Sequence, residues 1–318
     1  MRIVVLDGFT LNPGDISWEP IGRLGTIEIY DRTSPEDVIG RLEGAEIALT
    51  NKVILNRPIL EQLRHTLRYV GVLATGYNVV DVDAAKELGI CVTNIPAYST
   101  QSVAQMVFAH LLNLTNHVAH YTQEAKEERK WVTSKDFCFC DLPLTELAGR
   151  KMGIVGLGQI GMAVARIATA FGMEVLAYTR KGQNELPNGV QKIEMDELFA
   201  KSDIISLHCP LTEDTLQLVN DDRLQQMKKG AILINTGRGP LIDENAVAKA
   251  LHEGRLGAYA ADVLSIEPAQ ENNPLLSAPR VQLTPHIAWA TKEARERLMR
   301  ICASNIESFI QGTPQNVV

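Results

Sequence analysis

Short runs of Val, Ile and Leu alternate along the chain with longer stretches whose apolar residues recur every three to four positions. That is the pattern of β-α units that build a parallel sheet. In the first hundred residues it predicts strands at Arg2–Leu6, Ala45–Thr50, Arg68–Val72 and Ile90–Thr93, with helices at Arg57–Leu67 and Asp81–Leu88. The run Ala84-Ala85-Lys86-Glu87-Leu88-Gly89 sets a glycine just beyond a helix end, ahead of the next strand. A second series starts at Lys151. Its strands are predicted at Lys151–Val155, Glu174–Tyr178, Asp203–Leu207, Ala231–Asn235, Gly257–Ala261 and Val281–Leu283. The closing stretch Thr291–Gln311 is helical in period and stops at Gly312-Thr313-Pro314.

Between the two series an apolar-periodic stretch runs from Ser99 to about Lys130. It opens on the helix-start cluster Ser99-Thr100-Gln101-Ser102 and predicts one long helix, of a length that links domains or packs on a partner. The aperiodic segment Trp131–Leu147 predicts a connecting arm.

Composition narrows the class without naming it. The chain has 318 residues, 45% of them apolar and 22% charged, which fits a globular protein of two domains at about 150 residues each. A net charge of −7 argues against a nucleic-acid partner. No apolar run approaches the roughly 18 residues a membrane helix needs, and Met1–Asp7 has the pattern of a buried strand rather than of a signal peptide. Five cysteines suit a reducing cytosol better than a disulfide scaffold. The expectation is an acidic cytoplasmic protein.

One local motif stands out. Gly156-Leu157-Gly158-Gln159-Ile160-Gly161 follows a predicted strand and opens a predicted helix, Gln159–Phe171, with another strand beyond it. This is the context in which G-x-G-x-x-G binds a dinucleotide. Gly156 permits the tight turn, Gly158 lets the backbone approach a pyrophosphate, and Gly161 allows helix and strand to pack closely. The N–H groups around Gln159 and Ile160 then face the phosphates. An NAD enzyme places a carboxylate at the end of the second strand to bind the ribose hydroxyls. Here the chain has Ala177-Tyr178-Thr179-Arg180-Lys181, with no acid and two cations. Thr179, Arg180 and Lys181 suit a 2′-phosphate, so NADP is the expected preference over NAD.

Three later strand ends carry polar residues, where open α/β sheets place their ligands. The first, Asn235-Thr236-Gly237-Arg238-Gly239, presents an arginine between glycines, able to clamp a carboxylate bidentately. The second and third set Glu267 and His286 beside prolines on short loops. A carboxylate next to an imidazole stabilises its protonated form, as a general acid near neutral pH requires.

These motifs together resemble the D-isomer-specific 2-hydroxyacid dehydrogenases. The matching stretches are Gly156–Gly161, Leu207-His208-Cys209-Pro210-Leu211-Thr212, Asn235–Gly239, Asp262–Pro268 and Thr284–Ala290, with Arg238, Glu267 and His286 at intervals of 29 and 19 residues. In the first series, Gly71–Asn78 resembles the family's substrate loop and Ser102-Val103-Ala104-Gln105 its nicotinamide-side helix start. The stretch Pro285–Arg295 is most similar to the glycerate dehydrogenase, or hydroxypyruvate reductase, branch.

The resemblance implies roles. Arg238 holds the substrate carboxylate and polarises the 2-oxo group, His286 donates the proton, and Glu267 keeps His286 protonated. Asp262 accepts a hydrogen bond from the nicotinamide amide; Val103, Cys209, Thr236 and Gly237 line the cofactor; the N–H groups of Thr75 and Gly76 cradle the carboxylate. It also implies two Rossmann-like domains with parallel sheets, a cofactor domain of residues 99–286 inserted into a smaller flavodoxin-like substrate domain of residues 1–98 and 287–318. A cleft and a homodimer go with that fold. Gln105, Ala74 and Thr179 depart from the commoner family residues Glu, Gly and Asp. The implied reaction is NAD(P)H-dependent reduction of a small 2-oxoacid, hydroxypyruvate or glyoxylate, and its reverse. The alternatives are an NAD(P)-binding corepressor of the same fold, or a formate or phosphite dehydrogenase. No metal is expected: Cys138-Phe139-Cys140 has no companion ligands, and His110, His117 and His120 at helical spacings suit packing or a dimer contact.

Overall fold

The computed structural model describes all residues, Met1 to Val318. They divide into two units, one made of Met1–Ser99 and Trp289–Val318, the other of Thr100–Ala288. The crossings therefore fall after Ser99 and after Ala288, one and two residues beyond the boundaries expected from the motifs.

The first unit is built on strands β1 (Arg2–Val5), β2 (Thr26–Ile29), β3 (Ile47–Thr50), β4 (Tyr69–Val72) and β5 (Cys91–Thr93), all parallel, in the order β2-β1-β3-β4-β5. This is the flavodoxin-like order. Alternation along β1 assigns its faces. Val4 and Leu6 join Val38, Leu42, Leu60 and Leu63 on one side. Ile3 and Val5 face the other, which would lie bare without the closing helix Lys292–Ile310. That helix carries Ala294, Leu298, Cys302 and Ile306 at intervals of four, a single apolar stripe laid on the sheet. The chain thus returns to its first unit through this helix. β3 and β4 are buried at every residue, as strands covered on both faces must be.

The second unit contains β6 (Lys151–Val155), β7 (Glu174–Tyr178), β8 (Val190–Lys192), β9 (Ile204–Leu207), β10 (Ala231–Asn235), β11 (Leu256–Ala261) and β12 (Val281–Leu283). Its parallel sheet runs β12-β11-β10-β9-β6-β7-β8. Ile205, Leu207 and Leu233 pack with Leu198, Val247 and Leu251 on one face. Ile154, Ile204 and Ile234 meet Leu111, Val164 and Ala168 on the other. The chain steps outward in one direction from β6 and in the opposite direction from β9, so the order reverses between these neighbours. A reversal of this kind opens a ligand crevice at the carboxyl ends of the strands.

The one long helix expected over Ser99–Lys130 is not formed. The helix is Thr100–Asn116, and His117 breaks it in the left-handed region at φ 50°. The Asn113 side chain explains the break, since its Oδ1 accepts the Ala119 N–H at 3.1 Å and diverts the backbone. A short helix Val118–Thr122, a wide turn Gln123–Glu127 and a last turn Lys130–Thr133 follow, the last entered through Arg129 at φ 54°. Two edge strands, β2 and β8, were not foreseen; both are short and mostly exposed on their outer side. No helix is long and apolar enough to cross a membrane.

Candidate active site

All seven strands of the second unit are parallel, so every loop after a strand emerges on one edge of that sheet. The residues singled out by sequence fall on these loops.

After β6 the chain turns through Gly156 at φ 94°, and a side chain there would meet the backbone of His208 and Cys209 at 2.7 Å. A Cβ at Gly161 would lie 2.2 Å from the Gly156 carbonyl oxygen. At Gly158 it would meet nothing within 4 Å. Two glycines are thus required by packing, whereas the third keeps a space open. Gly158 is also the N-cap of helix Gln159–Ala170, and no side chain caps it. The first N–H groups of the helix, at Gln159 and Ile160, are left for an anion. After β7, Thr179 Oγ1 accepts the Lys181 N–H at 3.3 Å and Lys192 donates to the Lys181 carbonyl at 2.7 Å. This sets the side chain of Lys192, at the end of β8, against the turn that carries Thr179, Arg180 and Lys181, with no acid among the four.

After β9, His208 bonds Ser206 Oγ through Nε2 at 2.8 Å, and burial pushes its imidazole down to about 4. Burial raises the Cys209 thiol. After β10, buried Asn235 clamps a turn: its Nδ2 donates to the Arg238 carbonyl at 2.8 Å and its Oδ1 accepts the Gly237 N–H at 3.0 Å. Arg238 stands out from this turn with no carboxylate partner; its Nη1 donates only to the Gly237 carbonyl. A Cβ at Gly239 would sit 2.0 Å from the Leu264 carbonyl carbon, so the arginine turn is pressed against the loop that carries Glu267. Beside it, Thr236 Oγ1 is buried without a hydrogen-bond partner.

The loops after β11 and β12 form one hydrogen-bonded body. Glu267 Oε1 accepts the Leu264 N–H at 3.0 Å and its Oε2 meets His286 Nδ1 at 2.6 Å. His286 adopts φ 54°, a conformation rare for a residue with a Cβ and frequent at functional sites. Both side chains are about one-third exposed, at 32% and 36%. The imidazole is oriented through Nδ1 by the Glu267 carboxylate.

Asp262 has a task the sequence did not suggest. It is 1% exposed, and its carboxylate accepts from Thr284 Oγ1 at 2.5 Å, Ile287 N–H at 2.9 Å and Ala288 N–H at 2.7 Å. It holds the segment on either side of His286. His110, assigned from sequence to packing, is buried and bonds Thr284 Oγ1 through Nε2 at 3.1 Å, with burial holding its imidazole below the ordinary value. No short-range signal shows this contact, since 174 residues separate the pair. Val103 is buried in the first turn of the Thr100–Asn116 helix.

Thr75 and Gly76 lie in the first unit, on the loop after β4. Thr75 Oγ1 donates to the Ile95 carbonyl at 2.8 Å and the Thr75 carbonyl accepts from Asn94 Nδ2 at 2.7 Å. Those contacts use the side chain and carbonyl and leave the two N–H groups out.

An open glycine cradle at an uncapped helix start, an orphaned buried hydroxyl and an oriented imidazole share one sheet edge. They fit a dinucleotide cofactor beside a proton donor, which is the equipment of an oxidoreductase. The family model for D-isomer specific 2-hydroxyacid dehydrogenase, NAD binding domain, matches residues 108–288. A hydroxypyruvate reductase of Blautia hydrogenotrophica is 49% identical over 322 residues, covering 100% of this chain and 99% of the relative. A glycerate dehydrogenase of Methylorubrum extorquens is 40% identical, covering 91% and 90%. Among solved structures, an acyclic imino acid reductase in complex with NADPH and D-Arg superposes with a TM-score of 0.86 at 33% identity, over 100% of both chains. The chain belongs to the D-isomer specific 2-hydroxyacid dehydrogenases, oxidoreductases with a nicotinamide-cofactor domain.

Proposed function

We propose that the protein reduces hydroxypyruvate and glyoxylate to D-glycerate and glycolate, and catalyses the reverse oxidations, with NADPH as the preferred cofactor. The reading rests most on the 2.6 Å contact between His286 and Glu267, set beside an arginine that pairs with no acid. The names of the hydroxypyruvate reductase and glycerate dehydrogenase relatives favour this substrate class.

Bound nicotinamide supplies the hydride that C2 of the substrate receives. Gly156, Gly158, Gln159, Ile160 and Gly161 would hold the cofactor, with Thr236 Oγ1, Gly237, Cys209 and Val103 as further lining. Arg238 grips the substrate carboxylate through two donors and polarises the 2-oxo oxygen. His286 gives its proton to that oxygen as negative charge develops there, and Glu267 stabilises the imidazolium beforehand. Asp262 would accept a hydrogen bond from the nicotinamide amide and, with His110, fixes the Thr284–Ala288 turn. The resemblance to the family further assigns the N–H groups of Thr75 and Gly76 to the substrate carboxylate.

The preference for NADPH follows from Thr179, Arg180 and Lys181 standing where an NAD enzyme carries a carboxylate. A homodimer accounts for the exposed apolar residues Val118, Trp131, Val132, Phe137 and Leu144 in one stretch of the second unit, a patch that a second copy of the chain would cover. Formate or phosphite oxidation leaves the proton donor or the neutral Leu73–Asn78 loop without a purpose. A corepressor has no need of an oriented imidazole.

A panel of 2-oxoacids compared by kcat/KM with NADPH and NADH tests the reading. Hydroxypyruvate with NADPH is expected to lead. A lower KM for NADH rejects the cofactor preference, and turnover of formate or phosphite in place of any 2-oxoacid rejects the substrate class.

A further inference from the structure

The segment after the Thr100–Asn116 helix holds a cluster remote in sequence from Arg238, Glu267 and His286. His120 and Glu124 lie four residues apart on the run from the Val118–Thr122 helix into the Gln123–Glu127 turn, and so share a face. Asp141 returns to them from the far end of the segment. His120 Nε2 is 3.3 Å from Glu124 Oε2 and 3.3 Å from Asp141 Oδ1, and the three ligand atoms all lie within 4.8 Å of one another. Two ligands bound tetrahedrally at about 2.0–2.1 Å from a zinc ion stand about 3.3 Å apart. The imidazole nitrogen therefore already sits at coordination spacing from both oxygens.

The carboxylates are arranged as ligands are. Lys130 Nζ lies 2.7 Å from Glu124 Oε1 and 2.8 Å from Asp141 Oδ2. It takes one oxygen of each and leaves the other, Oε2 and Oδ1, turned towards His120. A cation or donor on the outer oxygen is how a ligating carboxylate is commonly oriented. The independent sign is Glu124. It is only 8% exposed, and its Oε2 is buried without a hydrogen-bond partner. A buried carboxylate oxygen facing other ligands and accepting nothing is costly unless something binds it.

We infer that His120, Glu124 and Asp141 form a metal site that takes a borderline divalent cation such as Zn²⁺, with water completing the coordination. One imidazole and two carboxylates suit zinc, whereas Mg²⁺ and Ca²⁺ call for more oxygen ligands than the cluster offers. The ion pins the returning strand of the segment at Asp141 to the helix at His120. It takes no part in hydride or proton transfer. The competing account is a proton on His120 shared with Asp141, which gives the same distances.

Titration of the chelator-treated full chain with ZnCl₂ separates the two, followed by calorimetry and by thermal midpoint. The parent carries Cys138→Ser, Cys140→Ser and His286→Asn to silence other ligands. It is expected to bind a single Zn²⁺ per chain at micromolar affinity or tighter, with a rise in midpoint, and to ignore Mg²⁺. His120→Gln in that parent is expected to weaken binding at least about tenfold and to abolish the rise. Asp141→Asn gives a second, independent removal of a ligand. Absence of saturable Zn²⁺ binding, or equal affinity in folded His120→Gln and Asp141→Asn proteins, overturns the site and leaves a proton-bridged ion cluster.

Discussion

At the C-terminal edge of the five-stranded sheet the polar groups are consumed inside their own unit, whereas at the same edge of the seven-stranded sheet several are left over. Asp7, just after β1, accepts the N–H groups of Asn51, Lys52 and Val53 at 2.8, 2.6 and 3.1 Å. Asn51 in turn donates to the Leu73 carbonyl at 2.7 Å, fixing the start of the Thr75–Gly76 loop. The one buried arginine of that unit, Arg295, is bidentate to Asp15, each contact at 2.6 Å. In the second unit Arg238 pairs with no acid and Thr236 Oγ1 is orphaned. Two sheets of one architecture thus divide the work. One edge spends its charges on holding loops and offers backbone N–H groups; the other holds its loops with Asn235 and Asp262 and leaves an arginine without an acid and a buried hydroxyl without a partner. Unsatisfied polar groups persist in a folded protein where something else is to bind them.

The contrast can be broken first at Arg238. Charged hydrogen bonds are worth about 1.5–3 kcal/mol each, so losing a bidentate clamp in Arg238→Gln is expected to lower kcat/KM for hydroxypyruvate by about 10² or more. The thermal midpoint should stay in place, because the guanidinium supports only the adjoining carbonyl. A fall in midpoint would show that Arg238 serves the fold instead.

Acid tests the same edge next. His208 titrates at about 4 in the folded chain, against about 6.5 for an unperturbed histidine. Below pH 6.5 the unfolded chain takes up a proton that the folded chain refuses. The stability is therefore complete above 6.5 and is lost as the pH falls towards 4, by up to about 3 kcal/mol for 2.5 units at 1.36 kcal/mol each. Denaturation midpoints of the second unit should decline over that window, and His208→Asn, which can still bond Ser206, should flatten the decline. An unchanged slope in the variant would place the sensitivity elsewhere.

A smaller effect is expected at Asp7. Replacing its carboxylate in Asp7→Asn presents an amide N–H to backbone donors and should cost about 1–3 kcal/mol of stability, with kcat retained. Loss of kcat on the scale of Arg238→Gln would erase the distinction between the two edges.

The seven-stranded half was legible in the sequence because its chemistry sits in short contiguous motifs. Gly156, Gly158 and Gly161 mark their turn by spacing between a predicted strand and a predicted helix, and Arg238, Glu267 and His286 each lie on a loop after a predicted strand. The strands predicted at Lys151–Val155, Glu174–Tyr178, Ala231–Asn235 and Val281–Leu283 form over those same residues. What escaped depends on contacts across long separations. His110 and Thr284 meet only after folding, and the spacing of His110 on a helix is that of any packed residue. The hold of the Asp262 carboxylate on Thr284, Ile287 and Ala288 likewise spans more than twenty residues and leaves no local mark in the sequence. The long helix failed for a local reason that periodicity does not register. Apolar spacing carries through His117, but the Asn113 side chain competes for the backbone there. β2 and β8 are edge strands with little apolar signal, since only one neighbour and one face constrain them.

The central claim is that the oriented imidazole at the end of β12 is the proton donor of a 2-oxoacid reductase. It is tested most directly by His286→Asn, with hydroxypyruvate turnover and NADPH binding measured on the same preparation. The account predicts a fall in kcat of about 10²–10⁴, with NADPH affinity essentially unchanged. Near-normal turnover in that variant would contradict it.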